Sequence, residues 1–260
     1  MGAYIPLKTG ADVTRMRVPG RLLAALFREL APVIAPGLRT REIEAFCTER
    51  IEQGQAEAWQ HATGFPATAC VSVNNVAVHG VPDERVLEDG DIVTVDVSVR
   101  MNGWASDAAW TYVVGSGDAD AHRLLRAAWQ TTNAGIAACR AGRRLGDVAA
   151  VIEHTAARFG CQVVREFTGH GIGRRLHEAP SVPNTGSPGT GEPIVPGMVL
   201  TVEPVISLGS GAVRKLADGW AYVSADGALT AQFEHTVSVQ SRYTEVLTYP
   251  GSPAGDVPPY

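Results

Sequence analysis

Residues 90–107 read GDIVTVDVSVRMNGWASD, and the fold class follows from this stretch. From Ile92 to Val99 the period is two: Val93, Val95, Val97 and Val99 fall on one face, Ile92, Thr94, Asp96 and Ser98 on the other. Asn102-Gly103 is a strong hairpin signal, because both residue types tolerate positive φ. A return strand then runs from about Asp107 to Val114. With a two-residue loop, paired positions sum to 205, so Asp107 stands opposite Ser98 and diagonal to Asp96 on the same face. That diagonal spans about 7–8 Å. The hairpin alone leaves two readings open. Either the carboxylates lie on a solvated face, or they converge on a cation that relieves their repulsion.

The same pattern recurs. GDIVTVD at 90–96 matches GMVLTVE at 197–203, a displacement of 107 residues. Pro36-Gly37 and the helix after it match Ala141-Gly142 and its helix at a displacement of 105. Apolar spacing and caps predict helices over 21–33 (after Pro19-Gly20), 40–53 (capped by Thr40), 121–139 and 145–159. Further strands are predicted at about 198–207 and 229–239. Two similar displacements point to an internal duplication. The expected architecture is therefore an α+β, pseudo-twofold domain over residues 1–248, an antiparallel sheet with two helix pairs. Its halves span about 20–115 and 120–240, with the site between them; residues 249–260, YPGSPAGDVPPY, read as a flexible tail.

The duplication bears on the carboxylates. Glu203 occupies the repeat position of Asp96, and Glu234 lies in the strand AQFEHTVSV of the second half. Four carboxylates on two related hairpins are hard oxygen donors that can bridge two divalent ions. Among seven histidines, His170 lies in GHGIG, His177 follows seven residues later, and His79 precedes Gly80. GHGIG also has the look of a phosphate loop, but no Lys-Ser/Thr follows it. His61, His122 and His154 have no supporting context, and His235 points to the face opposite Glu234, which suits a structural role.

Composition narrows the class. At 260 residues, 45% hydrophobic and 19% charged, the chain is an ordinary globular protein with room for a sizeable core. Twenty-two basic against 27 acidic residues give a net charge of −5, which argues against a surface built for DNA. Setting aside Asp96, Asp107, Glu203 and Glu234 leaves 23 acids against 22 bases, so the acidic surplus is mostly the candidate site. The four cysteines are scattered with no CxxC pair, which excludes a zinc finger and a disulfide scaffold. No apolar run suits a membrane span and the start lacks a signal-peptide pattern, so the cytoplasm is the expected compartment.

Taken together, SVNNVAVHG, GDIVTVDVSV, GHGIGRRLHEAP, VLTVEPVIS and QFEHT resemble the type I methionine aminopeptidases of peptidase family M24. The resemblance runs from about residue 5 to residue 248. It implies the pita-bread (creatinase/aminopeptidase) fold and removal of N-terminal methionine from nascent proteins, with a small second residue. It implies a dinuclear centre of two divalent ions (Co, Mn, Fe or Zn) held by Asp96, Asp107, His170, Glu203 and Glu234, with Asp107 and Glu234 bridging. It further implies that His79 and His177 contact substrate and that Glu203 shuttles the proton.

Relatives with the same ligand set are X-Pro dipeptidases and aminopeptidases, which carry an extra N-terminal domain. Type II enzymes carry an insertion for which the 31-residue step from Glu203 to Glu234 leaves no space. A type I zinc-binding extension does not fit the cysteine pattern. A non-catalytic pita-bread binding module is the remaining alternative, and it should have lost ligands.

The methionine pocket departs from the family. Trp59, Ala62 and Phe65 stand where cysteine and tyrosines are common, and Leu176 replaces an aromatic residue. Val78 stands where cysteine is common, whereas Cys70 and Trp220 match. The expected partners are nascent polypeptide N-termini, and the expected state is a monomer. Arg140, Arg143 and Arg144 offer a docking patch for the ribosome, although a short basic cluster of this kind is more often the solvated end of a helix.

Overall fold

The computed structural model describes residues 4–249. Helix α1 (Gly10–Leu30) starts earlier than Pro19-Gly20 suggests. Its start is set by Thr9: the Thr9 hydroxyl accepts the Asp12 N–H at 3.2 Å, and the Asp12 carboxylate accepts the Thr9 N–H at 3.0 Å. Pro19 sits inside the helix and forfeits one intrahelical bond. Gly20 is explained by packing, since a Cβ there would lie 2.3 Å from the Leu247 carbonyl oxygen.

Helix α2 (Thr40–Gln53) has the expected span but a different cap. Arg39 is the flanking residue, and its N–H reaches the Glu42 carboxylate at 2.7 Å. The Thr40 hydroxyl instead donates to the Asp83 carbonyl at 3.0 Å. In the second half, α3 (Ala119–Ala138) is capped by Asp118, and α4 (Leu145–Arg158) repeats the α2 arrangement, with the Arg144 N–H on Asp147 at 2.8 Å.

The internal duplication is written into the backbone. Gly37 (φ +96°) donates to the Leu87 carbonyl at 2.8 Å; Gly142 (φ +88°) donates to that of Ile194 at 3.0 Å. Isolated bridges join Arg39 to Val86 and Arg144 to Pro193. Gly90 and Gly197, each in the turn just before its strand, have φ of +93° and +92°. A side chain at these four positions would be strained, which is why the repeat keeps glycine at them.

One antiparallel nine-stranded sheet carries the site. Its order is Glu57–Ala58, Ile92–Met101, Trp104–Val113, Glu234–Val239, Val199–Val202, Gly169–Gly171 and Glu178–Val182. Thr244–Val246 and Cys70–Val73 pair from the side. The Asn102-Gly103 loop has positive φ at both residues (+50° and +76°), and the register puts Ser98 opposite Asp107 and Asp96 opposite Ala109. The two halves meet where Trp104–Val113 pairs with Glu234–Val239, Glu234 lying opposite Ala109.

The predicted strands at 198–207 and 229–239 are each interrupted, at Glu203-Pro204 and at Phe233. The alternate faces of the sheet separate core from site. Val93, Val95, Val97 and Val99 are wholly buried with Leu23, Phe27 and Leu30 of α1, and Ala108, Trp110 and Tyr112 join them. Burial of such side chains stabilises the fold by about 1.5–3 kcal/mol each. Tyr249, the first residue of the expected tail, stacks on Trp110 at 6.1 Å; residues 250–260 lie outside those described.

Candidate metal centre and substrate cavity

Five acidic and imidazole side chains from neighbouring strands meet at the seam of the halves. Asp96 and Asp107 come from the first hairpin. Glu234 comes from the adjoining strand, Glu203 from the end of Val199–Val202, and His170 from Gly169–Gly171. All five line one cavity of about 420 Å³. The Asp107, His170 and Glu234 donor atoms lie within 4.8 Å of one another. His170 Nε2 is 3.6 Å from Glu203 Oε1 and 3.7 Å from Asp107 Oδ2.

The tautomer of His170 is set by its surroundings. Nδ1 faces the Gly171 carbonyl at 2.9 Å, and a carbonyl only accepts, so Nδ1 carries the proton. The lone pair of Nε2 therefore points among the carboxylates. Burial pushes the His170 pKa down to about 4, which keeps the ring neutral, as a ligand must be.

The carboxylates are in an environment that disfavours their own charge. Asp107 and Glu234 are 7% and 2% exposed. Burial, followed by the neighbouring carboxylates, holds both well above the usual carboxylate range. Burial raises Asp96 to about 7 and Glu203 to about 8. Asp107 Oδ1 and Glu234 Oε1 are buried without any hydrogen-bond partner. Unpaired buried acceptors are costly, and an oxygen-rich, imidazole-containing donor set is what a divalent cation takes. The residues present therefore fit a metal.

Polar residues that sequence patterning did not single out support these side chains. The Thr201 hydroxyl donates to Glu203 Oε1 at 2.5 Å and accepts the His170 N–H at 2.9 Å. The Thr236 hydroxyl donates to the Asp107 carbonyl at 2.8 Å and accepts the Asp107 N–H at 3.0 Å. The Gln60 amide reaches Asp96 Oδ1 at 3.2 Å.

Phe65, Cys70, Val78, His79, Leu176, His177 and Trp220 line the same cavity. Phe65 and Trp220 meet edge to face at 5.3 Å, and Cys70, fully enclosed, has its thiol pushed up by burial. Trp59 is placed elsewhere, its ring beneath the Arg100 guanidinium at 4.5 Å. Neither it nor Ala62 is on the cavity wall. Of the five departures, Phe65, Val78 and Leu176 thus face the cavity, and Trp59 and Ala62 do not.

His177 packs edge-on against His170 at 4.3 Å, and burial lowers its pKa. His79, at φ +56°, packs edge-on against Phe167 at 5.9 Å; burial, then His177 and Lys215, lower its pKa. His235 faces away from the cavity, as its register requires. It is buried among Trp110, Trp129 and Tyr249, with Nδ1 on the Thr248 hydroxyl at 2.9 Å.

The model of metallopeptidase family M24 matches residues 14–241. The chain belongs to this family. Among M24 relatives, the methionine aminopeptidase of Treponema pallidum is 43% identical over 248 residues, covering 95% of this chain and 97% of that one. The crystal structure of methionine aminopeptidase from Thermotoga maritima superposes with a TM-score of 0.93 at 38% identity, covering 95% and 100% of the two chains. The M24 prolidase of Pyrococcus furiosus shares the fold, with a TM-score of 0.76 at 20% identity over 66% of its chain and 94% of this one. No helix among the described residues is long and apolar enough to cross a membrane.

Proposed function

We propose that this M24 metallopeptidase is a methionine aminopeptidase, releasing the N-terminal methionine of new polypeptides whose second residue is small. The observation that carries the reading is a single cavity in which the buried carboxylate and imidazole cluster adjoins an apolar wall of Phe65, Cys70 and Trp220. Near-complete mutual coverage with methionine aminopeptidases supports the same reading.

In this reading Asp96, Asp107, His170, Glu203 and Glu234 would hold two divalent ions. Bound divalent ions supply Lewis-acid polarisation of the scissile carbonyl and acidify water. Their identity among Co, Mn, Fe and Zn follows availability as much as ligand type.

The chain's own residues do the rest. Phe65, Cys70, Val78, Leu176 and Trp220 seat an unbranched apolar side chain and exclude water from it. An internal peptide bond has no free α-amino group to present as a neutral donor at the cluster, and this explains an exopeptidase. Glu203, whose proton affinity burial raises, holds and returns the proton exchanged in hydrolysis. His177, kept neutral by burial, donates a hydrogen bond to the carbonyl oxygen as charge develops there. His79 does the same for the leaving side of the amide. Arg140, on a surface cavity with Arg242, belongs to the patch we assign to the ribosome.

Comparing Met-Ala-Ser with Gly-Pro tests the assignment. Methionine should be released from the tripeptide and the dipeptide left intact, and Glu203→Gln should abolish release. Preferential cleavage of Gly-Pro makes the protein an X-Pro dipeptidase; no cleavage of either makes it a binding module.

A further inference from the structure

The short 3-10 helix Gln60–Thr63 brings one amide into the site. The segment before it is fixed to the edge of the sheet: Glu57 pairs with Arg100, Ala58 with Val99, and the Trp59 N–H donates to the Ser98 carbonyl at 2.8 Å. This anchoring turns the Gln60 side chain inward, where it is 7% exposed and lines the cavity.

Its orientation is unambiguous. The Ser98 backbone N–H lies 2.7 Å from Gln60 Oε1, and an N–H only donates, so that atom is the oxygen. The Ser98 hydroxyl closes on the same oxygen. Nε2 therefore faces Asp96, at 3.2 Å from Oδ1 and 3.2 Å from the backbone carbonyl. Ser98 and Asp96 are two residues apart on one face of one strand, so a single amide spans both and its donors and acceptor are all engaged. A carboxylate on a β-strand is otherwise free to turn about its Cβ–Cγ bond. Held at one oxygen by a buried amide that is itself held, Asp96 keeps one orientation.

We propose that Gln60 is a positioning residue of the metal centre: it fixes the Asp96 carboxylate in the pose that receives a divalent ion and thereby sets the affinity of the site. This rests on the reading of Asp96 as a ligand. Outer partners of ligating carboxylates are worth about 10–100-fold in metal affinity.

The test is calorimetric titration of metal-stripped protein with Mn²⁺ alone, for wild type, Gln60→Met, Gln60→Asn and Ser98→Ala. Methionine keeps the volume without the amide. Asparagine keeps the amide but is too short to span both partners, and it keeps the test decisive if the methionine variant does not fold. Both Gln60 variants should bind Mn²⁺ about 10–100-fold more weakly. A purely structural role for Gln60 predicts that its variants lower the melting temperature as Ser98→Ala does and leave Mn²⁺ affinity alone. A loss below about tenfold in folded Gln60 variants overturns the proposal. If wild type binds no Mn²⁺, the metal-centre reading fails first and the proposal falls with it.

Discussion

Lys8 Nζ lies 2.6 Å from Glu178 Oε2, an ion pair of two almost wholly buried side chains 170 positions apart in the chain. Glu178 uses its other oxygen to accept the N–H groups of Arg174 and Arg175, at 2.8 and 3.1 Å. One carboxylate thus ties the N-terminal segment to the loop that presents His177. Removing the cation leaves an uncompensated buried charge, which costs about 3–5 kcal/mol.

Lys8→Met should therefore lower the melting temperature by roughly 6–20 °C. It should also lower kcat through His177. Lys8→Met combined with Glu178→Gln should recover stability relative to Lys8→Met alone, because the orphaned charge is gone. A melting temperature within about 2 °C of wild type for Lys8→Met would show that the pair holds nothing.

The raised carboxylates give the metal-free protein a defined pH dependence. Asp96 and Glu203 are lifted to about 7 and about 8 in the fold, and Asp107 and Glu234 are raised as well. All four are ordinary carboxylates once unfolded, so folding takes up protons wherever they are protonated only in the native state. The contribution of Asp96 and Glu203 is complete below the unfolded carboxylate range and is lost as pH rises through about 7–8. Metal-stripped protein should melt lower at pH 8 than at pH 5.5, and Mn²⁺ should raise the melting temperature more at pH 8, where Asp96 and Glu203 give up their protons more readily. Melting curves at both values, with and without the ion, check this. A larger Mn²⁺ effect at pH 5.5 would contradict it.

His79 and His170 are both half-buried histidines on the cavity, but their surroundings differ. His170 points Nε2 among the carboxylates, whereas His79 packs between Phe167 and Tyr222. His79→Ala should lose methionine release while keeping wild-type metal content, and His170→Ala should lose both. Metal analysis of the purified variants, read beside the peptide assay, separates these roles.

Much of the fold is legible in residue order, for identifiable reasons. An Asn-Gly loop of two residues fixes hairpin register, so the Asp96–Asp107 diagonal follows from spacing alone. The repeat is visible because Gly37, Gly90, Gly142 and Gly197 all need positive φ, which few other residues tolerate. Punctuation misleads at Pro19-Gly20, where the helix runs on through a proline on its buried face and the glycine answers to Leu247. Gln60, Thr201, Thr236 and the Lys8–Glu178 pair leave no periodic trace. Each is polar, and its significance lies in a partner that only the folded sheet brings near. Trp59 stands at a pocket position by resemblance, but its ring is taken by Arg100.

If the cluster at the seam of the two halves is a catalytic metal centre, methionine release must depend on the ion. Release from Met-Ala-Ser by metal-stripped protein, before and after adding Mn²⁺, measures that dependence. The stripped protein should release none and recover on adding the ion, with no recovery in Glu203→Gln. Undiminished release from the stripped protein would contradict a catalytic metal at this site.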